Sequence, residues 1–248
     1  MLNHIGILNS RDFLVMHEKF INMKEDEPTL FEMINSTNWN SVRFKIPLDE
    51  TMGWRVEFRT MEIQLTADEN AAFSLLVYML VKMLTETPIF NFYIPISKTT
   101  ANFERAHREN SILNDKFFFR TNVFDDGVPI IAELYLREIF FGSKEHEFPG
   151  MFTLFQKMLE DPNTNCPKKK ELLKEIIRVL KSIENFIRDK VEGKRLTLAQ
   201  WMRQFVYKHK LYEKDSIVSQ DIITDLLDNL VRISRGEQED PNFGEIFV

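Results

Sequence analysis

The sequence predicts an α+β chain, with a small antiparallel strand layer in its N-terminal third followed by a large helical part. Three observations carry this. Residues 53–65, "GWRVEFRTMEIQL", alternate apolar and charged side chains; residues 67–86 form an apolar run behind a Thr-x-x-Glu cap; and from about residue 130 onward apolar residues recur at helical spacing. With 248 residues and 44% hydrophobic content the chain can bury a sizeable core, and 22 phenylalanines against 8 glycines suit helical and aromatic packing better than a turn-rich sandwich. The expected organisation is a strand-bearing portion over 1–128 and a helical portion over 129–248, packed as one body.

The first element expected is a short helix over "SRDFLVMHEKFINM", capped by Ser10, with Phe13, Leu14, His17 and Ile21 along one face. Next, "SVRFKIPL" (41–48) alternates Val42, Phe44 and Ile46 against Arg43 and Lys45, which makes a strand with a cationic side, closed by Pro47. In the 53–65 stretch Trp54, Val56 and Phe58 share one face, and Arg55, Glu57 and Arg59 share the other. The two strands suit a small antiparallel ribbon. The apolar set switches parity at Met61, so Glu62 and Gln64 fall opposite the charged triplet unless a bulge intervenes.

Thr66 and Glu69 make a capping box ahead of a helix over 67–86, ended by Pro88. "FYIPISKTTANFERAHRENSIL" turns at Pro95 and continues as an amphipathic helix, and "KFFFRTNVF" reads as another strand. The segments "IIAELYLREIFF", "GMFTLFQKMLED", a long stretch after Pro167, "TLAQWMRQFVYKH" and "SQDIITDLLDNLVRIS" all read as helices. After Pro167, Leu172, Leu173, Ile176, Ile177, Leu180, Ile183 and Ile187 hold one continuous core-facing stripe, whereas "GEQEDPNFGEIFV" reads as a loose tail.

Lysine and arginine total 32 against 38 acids, and the net charge of -6 offers no general attraction for a nucleic acid. The single cysteine, Cys166, excludes a disulfide within the chain and fits a reducing compartment, with the cytosol as the default. "MLNHIGILNSRDF" lacks the pattern of a signal peptide, and the longest apolar stretch, "AAFSLLVYMLVKML", carries Lys82 and falls short of the roughly 20 residues that cross a bilayer. A membrane is therefore not an expected partner. Residues 163–214 hold 10 lysines and 4 arginines against 6 acids, while 215–248 hold 8 acids and 2 arginines. Ordinary solvated helix faces and a basic partner patch shielded by an acidic tail both fit that split.

There is no Gly-rich phosphate loop, no zinc spacing among Cys166 and the five histidines, and no serine or cysteine nucleophile motif. What remains is the charged strand face. A carboxylate between two guanidiniums suits a magnesium-bound polyphosphate, because magnesium shares oxygen ligands with phosphates and arginine presents fork-shaped donors to phosphate oxygens. On that reading Glu57 takes the metal and Arg59 the phosphate, with Arg55, Glu62 and Gln64 at most behind them. A solvated, ion-paired strand face has the same sequence. Cys166 precedes Pro167 at a helix start and is followed by Lys168, Lys169 and Lys170, a setting that favours thiolate and redox reactivity; an inert surface thiol reads identically.

Taken in order, "INSTNWNSVRFK", "GWRVEFRTMEIQLTADENAA", "YIPISK", "FPGMFTLFQKML" and "LTLAQWMRQFVYKH" resemble stretches of the catalytic (heavy) subunit of eukaryotic glutamate-cysteine ligase. Thr60 stands where that family usually has proline, and "QLTADEN" where it has "QLTDFEN"; both departures lie beside the charged triplet. The family's subunit is much longer, and the resemblance is to its C-terminal part, the upstream portion supplying most metal carboxylates and much of the substrate pocket.

The resemblance implies a piece of a glutamine-synthetase-like ligase fold and the ATP-dependent joining of the L-glutamate γ-carboxylate to L-cysteine, the first step of glutathione biosynthesis. In that chemistry ATP phosphorylates the carboxylate, the cysteine amine attacks the acyl phosphate, and Mg2+ with arginines stabilises the transferring phosphoryl group. It implies that Glu57 is a metal ligand, that Arg59 contacts nucleotide and phosphate, and that Ser36, Thr37, Asn38 and Trp39 of the "STNW" motif shape the ATP site. It also implies, as in many organisms, a smaller modifier subunit, with Cys166 near the contact. A lone Glu57 is thin coordination for such a reaction, so negligible ligase activity is expected from the chain by itself. The competing expectation is a non-catalytic module that binds and tunes a ligase subunit.

Overall fold

The charged strand forms, but it is shorter than its alternation suggests. The computed structural model describes residues 41–45, 47, 51–87, 89–160 and 167–247. Strands β1 (Val42–Lys45) and β2 (Arg55–Phe58) make a two-stranded antiparallel ribbon, with Val42 opposite Phe58, Arg43 opposite Glu57, Phe44 opposite Val56 and Lys45 opposite Arg55. Opposed residues share a face, so this register keeps charged with charged and apolar with apolar. The Arg59 N–H donates to the Ser41 carbonyl at 2.7 Å and extends the pairing one step. Past that point a straight strand would carry Met61 and Ile63 onto the charged face, and the chain leaves the ladder instead; the strand over 53–65 is thereby corrected to four residues. The helix expected near Phe13 lies outside the described residues.

The chain divides into two compact units, residues 1–63 with the ribbon and residues 64–248. In the second, α1 (Ala67–Glu86) starts as expected: Thr66 Oγ1 accepts the Glu69 N–H at 3.2 Å, a cap worth about 1 kcal/mol. Thr87 ends it, donating its N–H to the Met83 carbonyl at 3.1 Å. Only that half of the capping box is made, because the Glu69 carboxylate turns into the core. Helix α2 (Ile96–Ala106) follows Pro95, and α3 (Ser111–Asn114) is entered through Asn110 in the left-handed region at φ 55.

Strand β3 (Lys116–Arg120) pairs antiparallel with β4 (Ile131–Tyr135), which corrects the helical reading of "IIAELY". Ala132 and Leu134 point inward at a period of two and lie opposite Phe119 and Phe117, so a neighbouring apolar strand decides what the short run alone leaves ambiguous. Helix α4 (Leu136–Phe141) begins only after it, braced by the Tyr135 N–H donating to Glu138 Oε2 at 2.9 Å.

Helices α5 (Met151–Leu159), α6 (Pro167–Val191), α7 (Leu198–Lys208) and α8 (Gln220–Ser234) complete the unit. The main core joins Met79 and Met83 of α1, Leu134 of β4, Phe155 of α5 and Ile183 of α6. Phenylalanine dominates it: Phe141 stacks on Phe152 at 5.5 Å, and Phe152 meets Phe155 edge-on at 5.9 Å. The α6 stripe is buried only from its middle onward; Leu180, Ile183 and Ile187 are enclosed, while Leu172 and Ile176 are exposed.

A smaller cluster gathers Trp201, Leu226, Ile233 and Phe243. The terminal segment is therefore docked rather than loose. Phe243 and Ile246 are buried, the Trp201 indole N–H donates to Asp240 Oδ2 at 2.8 Å, and the Ile246 N–H donates to Asp68 Oδ2 at 3.0 Å. Two apolar anchors inside a polar run account for the difference. Among the described residues, no helix is long and apolar enough to cross a membrane.

Candidate functional site

Strand β2 sets Glu57 on the charged face of the ribbon, and two cations grip it. Glu57 Oε1 accepts the Arg59 Nε–H at 2.9 Å, and Oε2 is ion-paired with the Lys45 ammonium across the ribbon. Lys45 joins the predicted pair as a residue the sequence reading passed over; the only signal was the cationic side of "SVRFKIPL". The side chains are half-buried, with exposures of 34% for Glu57 and 29% for Arg59. The hydrogen bond from Lys45 holds the Glu57 carboxyl below the usual carboxylate range, against opposing desolvation and with added help from Arg59. Glu57 is thus ionised at neutral pH. The arrangement presents one carboxylate edged by an ammonium and a guanidinium, which suits it to exchange its cationic partners for a metal while they turn to phosphate oxygens.

Arg55 is exposed on the same face, opposite Lys45, and Glu62 is exposed beyond the strand end. Gln64 belongs to the second unit, where its backbone N–H donates to Asn70 Oδ1 and its carbonyl accepts from Asn70 Nδ2, each at 3.0 Å. It braces the start of α1. Ser36, Thr37, Asn38, Trp39 and Cys166 lie outside the described residues. Among the described residues there is no group of three or more His, Cys, Asp or Glu side chains arranged to hold a metal. Magnesium takes about six oxygen ligands, so the Glu57 carboxylate by itself does not make a complete magnesium site among the described residues.

The second unit holds an ion pair that the sequence reading missed. Lys190 Nζ donates to Glu69 Oε1 at 2.8 Å and to the Leu196 carbonyl at 2.7 Å, while Glu69 Oε2 has no hydrogen-bond partner. Burial lowers the Lys190 pKa, and the Glu69 carboxylate opposes that shift. The pair ties the first turn of α1 to the last turn of α6, beside a cavity of about 150 Å³ lined mainly by Phe73, Leu76, Ile112, Phe140 and Ile187. No local pattern announces a partner so distant in the chain.

A sequence profile described as glutamate-cysteine ligase matches residues 1–233, a span that takes in both the ribbon and the buried ion pair. The chain belongs to the glutamate-cysteine ligase family. It is 36% identical to a glutamate-cysteine ligase of Schizosaccharomyces pombe, over 99% of this chain and 36% of that protein. A glutamate-cysteine ligase of Dictyostelium discoideum is 34% identical over 94% of this chain and 37% of its own length. The human glutamate-cysteine ligase catalytic subunit is 31% identical over 90% and 36%. The chain thus spans little more than a third of the length of these curated relatives. As a glutamate-cysteine ligase family member, it carries the Glu57 and Arg59 strand and the buried Glu69–Lys190 tie within one matched segment.

Proposed function

We propose that this chain is the part of a glutamate-cysteine ligase that contributes Glu57 and Arg59 to an ATP site, in the joining of the L-glutamate γ-carboxylate to L-cysteine. The observation that carries the reading is the ionised Glu57 carboxylate held between Lys45 and Arg59, on the "WRVEFR" strand of a chain in this family. Arg59 offers its guanidinium fork to a nucleotide phosphate, and Glu57 offers one oxygen ligand to Mg2+, the ion that offsets phosphate charge during phosphoryl transfer. The remaining ligands belong to the nucleotide and to the family's length that this chain does not span. On this reading ATP activates the glutamate side-chain carboxylate as an acyl phosphate, the L-cysteine amine displaces the phosphate, and the ribbon is a piece of a glutamine-synthetase-like sheet. The family suits a cytoplasmic setting and, in some organisms, a smaller modifier subunit.

The test joins this chain, as one polypeptide, to the portion of the S. pombe relative that it does not span. ADP and γ-glutamylcysteine are then assayed with and without Mg2+. Magnesium-dependent product that Glu57→Gln abolishes is the expected result, with negligible product from the chain alone. A folded fusion whose activity ignores Glu57→Gln would overturn the reading. The second reading, a non-catalytic module that tunes a ligase subunit, is favoured by the single carboxylate at the site and is distinguished by the absence of magnesium-dependent ATP binding.

A further inference from the structure

The cavity beside the Glu69–Lys190 tie is walled, among the described residues, by side chains of the second unit: Phe73 and Leu76 of α1, Ile112 of α3, Phe140 of α4 and Ile187 of α6. Its volume is about 150 Å³, and these walls are hydrocarbon. A void of that size in a core costs stability, because the atoms around it lack contacts on one side. Water fills it poorly. A buried water needs about two to four polar partners, and the polar residues of this wall are engaged elsewhere. Lys190 Nζ donates to Glu69 Oε1 and the Leu196 carbonyl, Thr197 Oγ1 accepts the Gln200 N–H, and Gln64 pairs with Asn70 through its backbone. Cavities of about this volume with Leu, Ile and Phe walls stay dry and admit benzene or xenon.

The ionised group in the wall decides the charge of what can enter. Lys190 is the only charged side chain among the described residues that line the cavity. An anion has to take that ammonium from Glu69, leaving a carboxylate buried without its cation. A cation faces Lys190 with no acid in the described wall to offset it. We infer that the cavity is a binding site for a small uncharged aromatic molecule of about the size of benzene, seated between Phe73, Phe140 and the aliphatic side chains of α1, α3 and α6. A flat ring suits it, since Phe73 and Phe140 offer ring faces and edges while Leu76, Ile112 and Ile187 close the remaining sides. The guest touches four helices at once and binds only the folded chain, so it stabilises their junction. Neither Glu57 nor Arg59 takes part, and the ligase reading stands or falls apart from it.

The experiment titrates benzene into the full chain and follows carbon-13-labelled methyl groups by NMR, beside thermal unfolding. Saturable shifts are expected at the methyls of Leu76, Ile112 and Ile187, and none at those of the exposed Ile217 and Leu227. The melting temperature is expected to rise by about 2–4 °C at a benzene concentration about five times Kd. Benzoate and benzylamine at the same concentration leave both readings unchanged. Leu76→Phe and Ile112→Phe each put a ring of the chain's own into the space, and benzene binding is expected to weaken several-fold in whichever of them folds. Absence of saturable shifts up to the solubility of benzene overturns the inference. So do equal shifts at Ile217 and Leu227, benzoate or benzylamine binding as tightly as benzene, or a folded variant that binds benzene as before. Where neither variant folds, xenon is the second probe: shifts at the same three methyls that benzene suppresses support the site, and xenon shifts confined to other methyls overturn it.

Discussion

Glu69 and Lys190 meet in the core 121 residues apart, 2.8 Å between Oε1 and Nζ, with side-chain exposures of 1% and 4%. Removing one partner strands the other charge away from water, so Lys190→Met is expected to cost about 3–5 kcal/mol in urea unfolding. Replacing both, as Glu69→Leu with Lys190→Met, removes the desolvated charges together and recovers most of that loss. A double variant as unstable as the single one would contradict the assignment of the loss to an uncompensated charge.

The Glu57 carboxyl titrates below its ordinary value of 4.5, chiefly because Lys45 hydrogen-bonds to its charged form. A depressed carboxylate pKa contributes stability that is present above the unfolded value and is lost as pH falls through the folded one. The ribbon therefore weakens below pH 4.5 and not above it. Carbon-13 NMR of the carboxyl is expected to show this, with Lys45→Met moving the midpoint upward. An unchanged midpoint in that variant would remove Lys45 from the account.

In the joined ligase polypeptide, Arg59→Ala is expected to lower kcat by about 10²–10³-fold, the scale for losing one donor to a transferring charged group. Arg59→Lys recovers little, because an ammonium lacks the two-pronged donor geometry. Steady-state kinetics check this, and full activity in the lysine variant would show that charge alone suffices.

Gly142 and Gly150 cross with their backbones in contact, at φ +102 and +89, and a Cβ at position 150 would sit 2.5 Å from the Gly142 nitrogen. Gly150→Ala is expected to lose about 1–3 kcal/mol to backbone strain and a comparable amount to overpacking. Thermal unfolding reads the sum. A melting temperature within error of the parent would refute the close approach.

How much of this was legible in the sequence depends on the range of the signal. The ribbon, its two faces and the placement of Glu57 and Arg59 on one of them follow from strict alternation, and α1 follows from Thr66 and the apolar run behind it. Residues 131–135 misled because five apolar-rich residues suit a strand or a helix, and only Phe117 and Phe119 opposite them decide. Phe243 and Ile246 are too isolated among polar neighbours to show a period, so their burial was invisible. Lys45 enters the site through strand register, signalled only by the cationic side of "SVRFKIPL", and Lys190 reaches Glu69 through tertiary packing, which leaves no local trace. The resemblance to the ligase family, by contrast, was carried by whole motifs and was readable from the start.

The hydrogen bond from the Ile246 N–H to Asp68 makes the C-terminal segment of the second unit a neighbour of its first helix. Its polypeptide therefore runs in a nearly closed circuit, and the order in which that circuit is read is open to rearrangement. A circular permutant with residue 247 linked to residue 64 and new ends at the exposed Lys214, between α7 and α8, is expected to fold to the same helical content by circular dichroism.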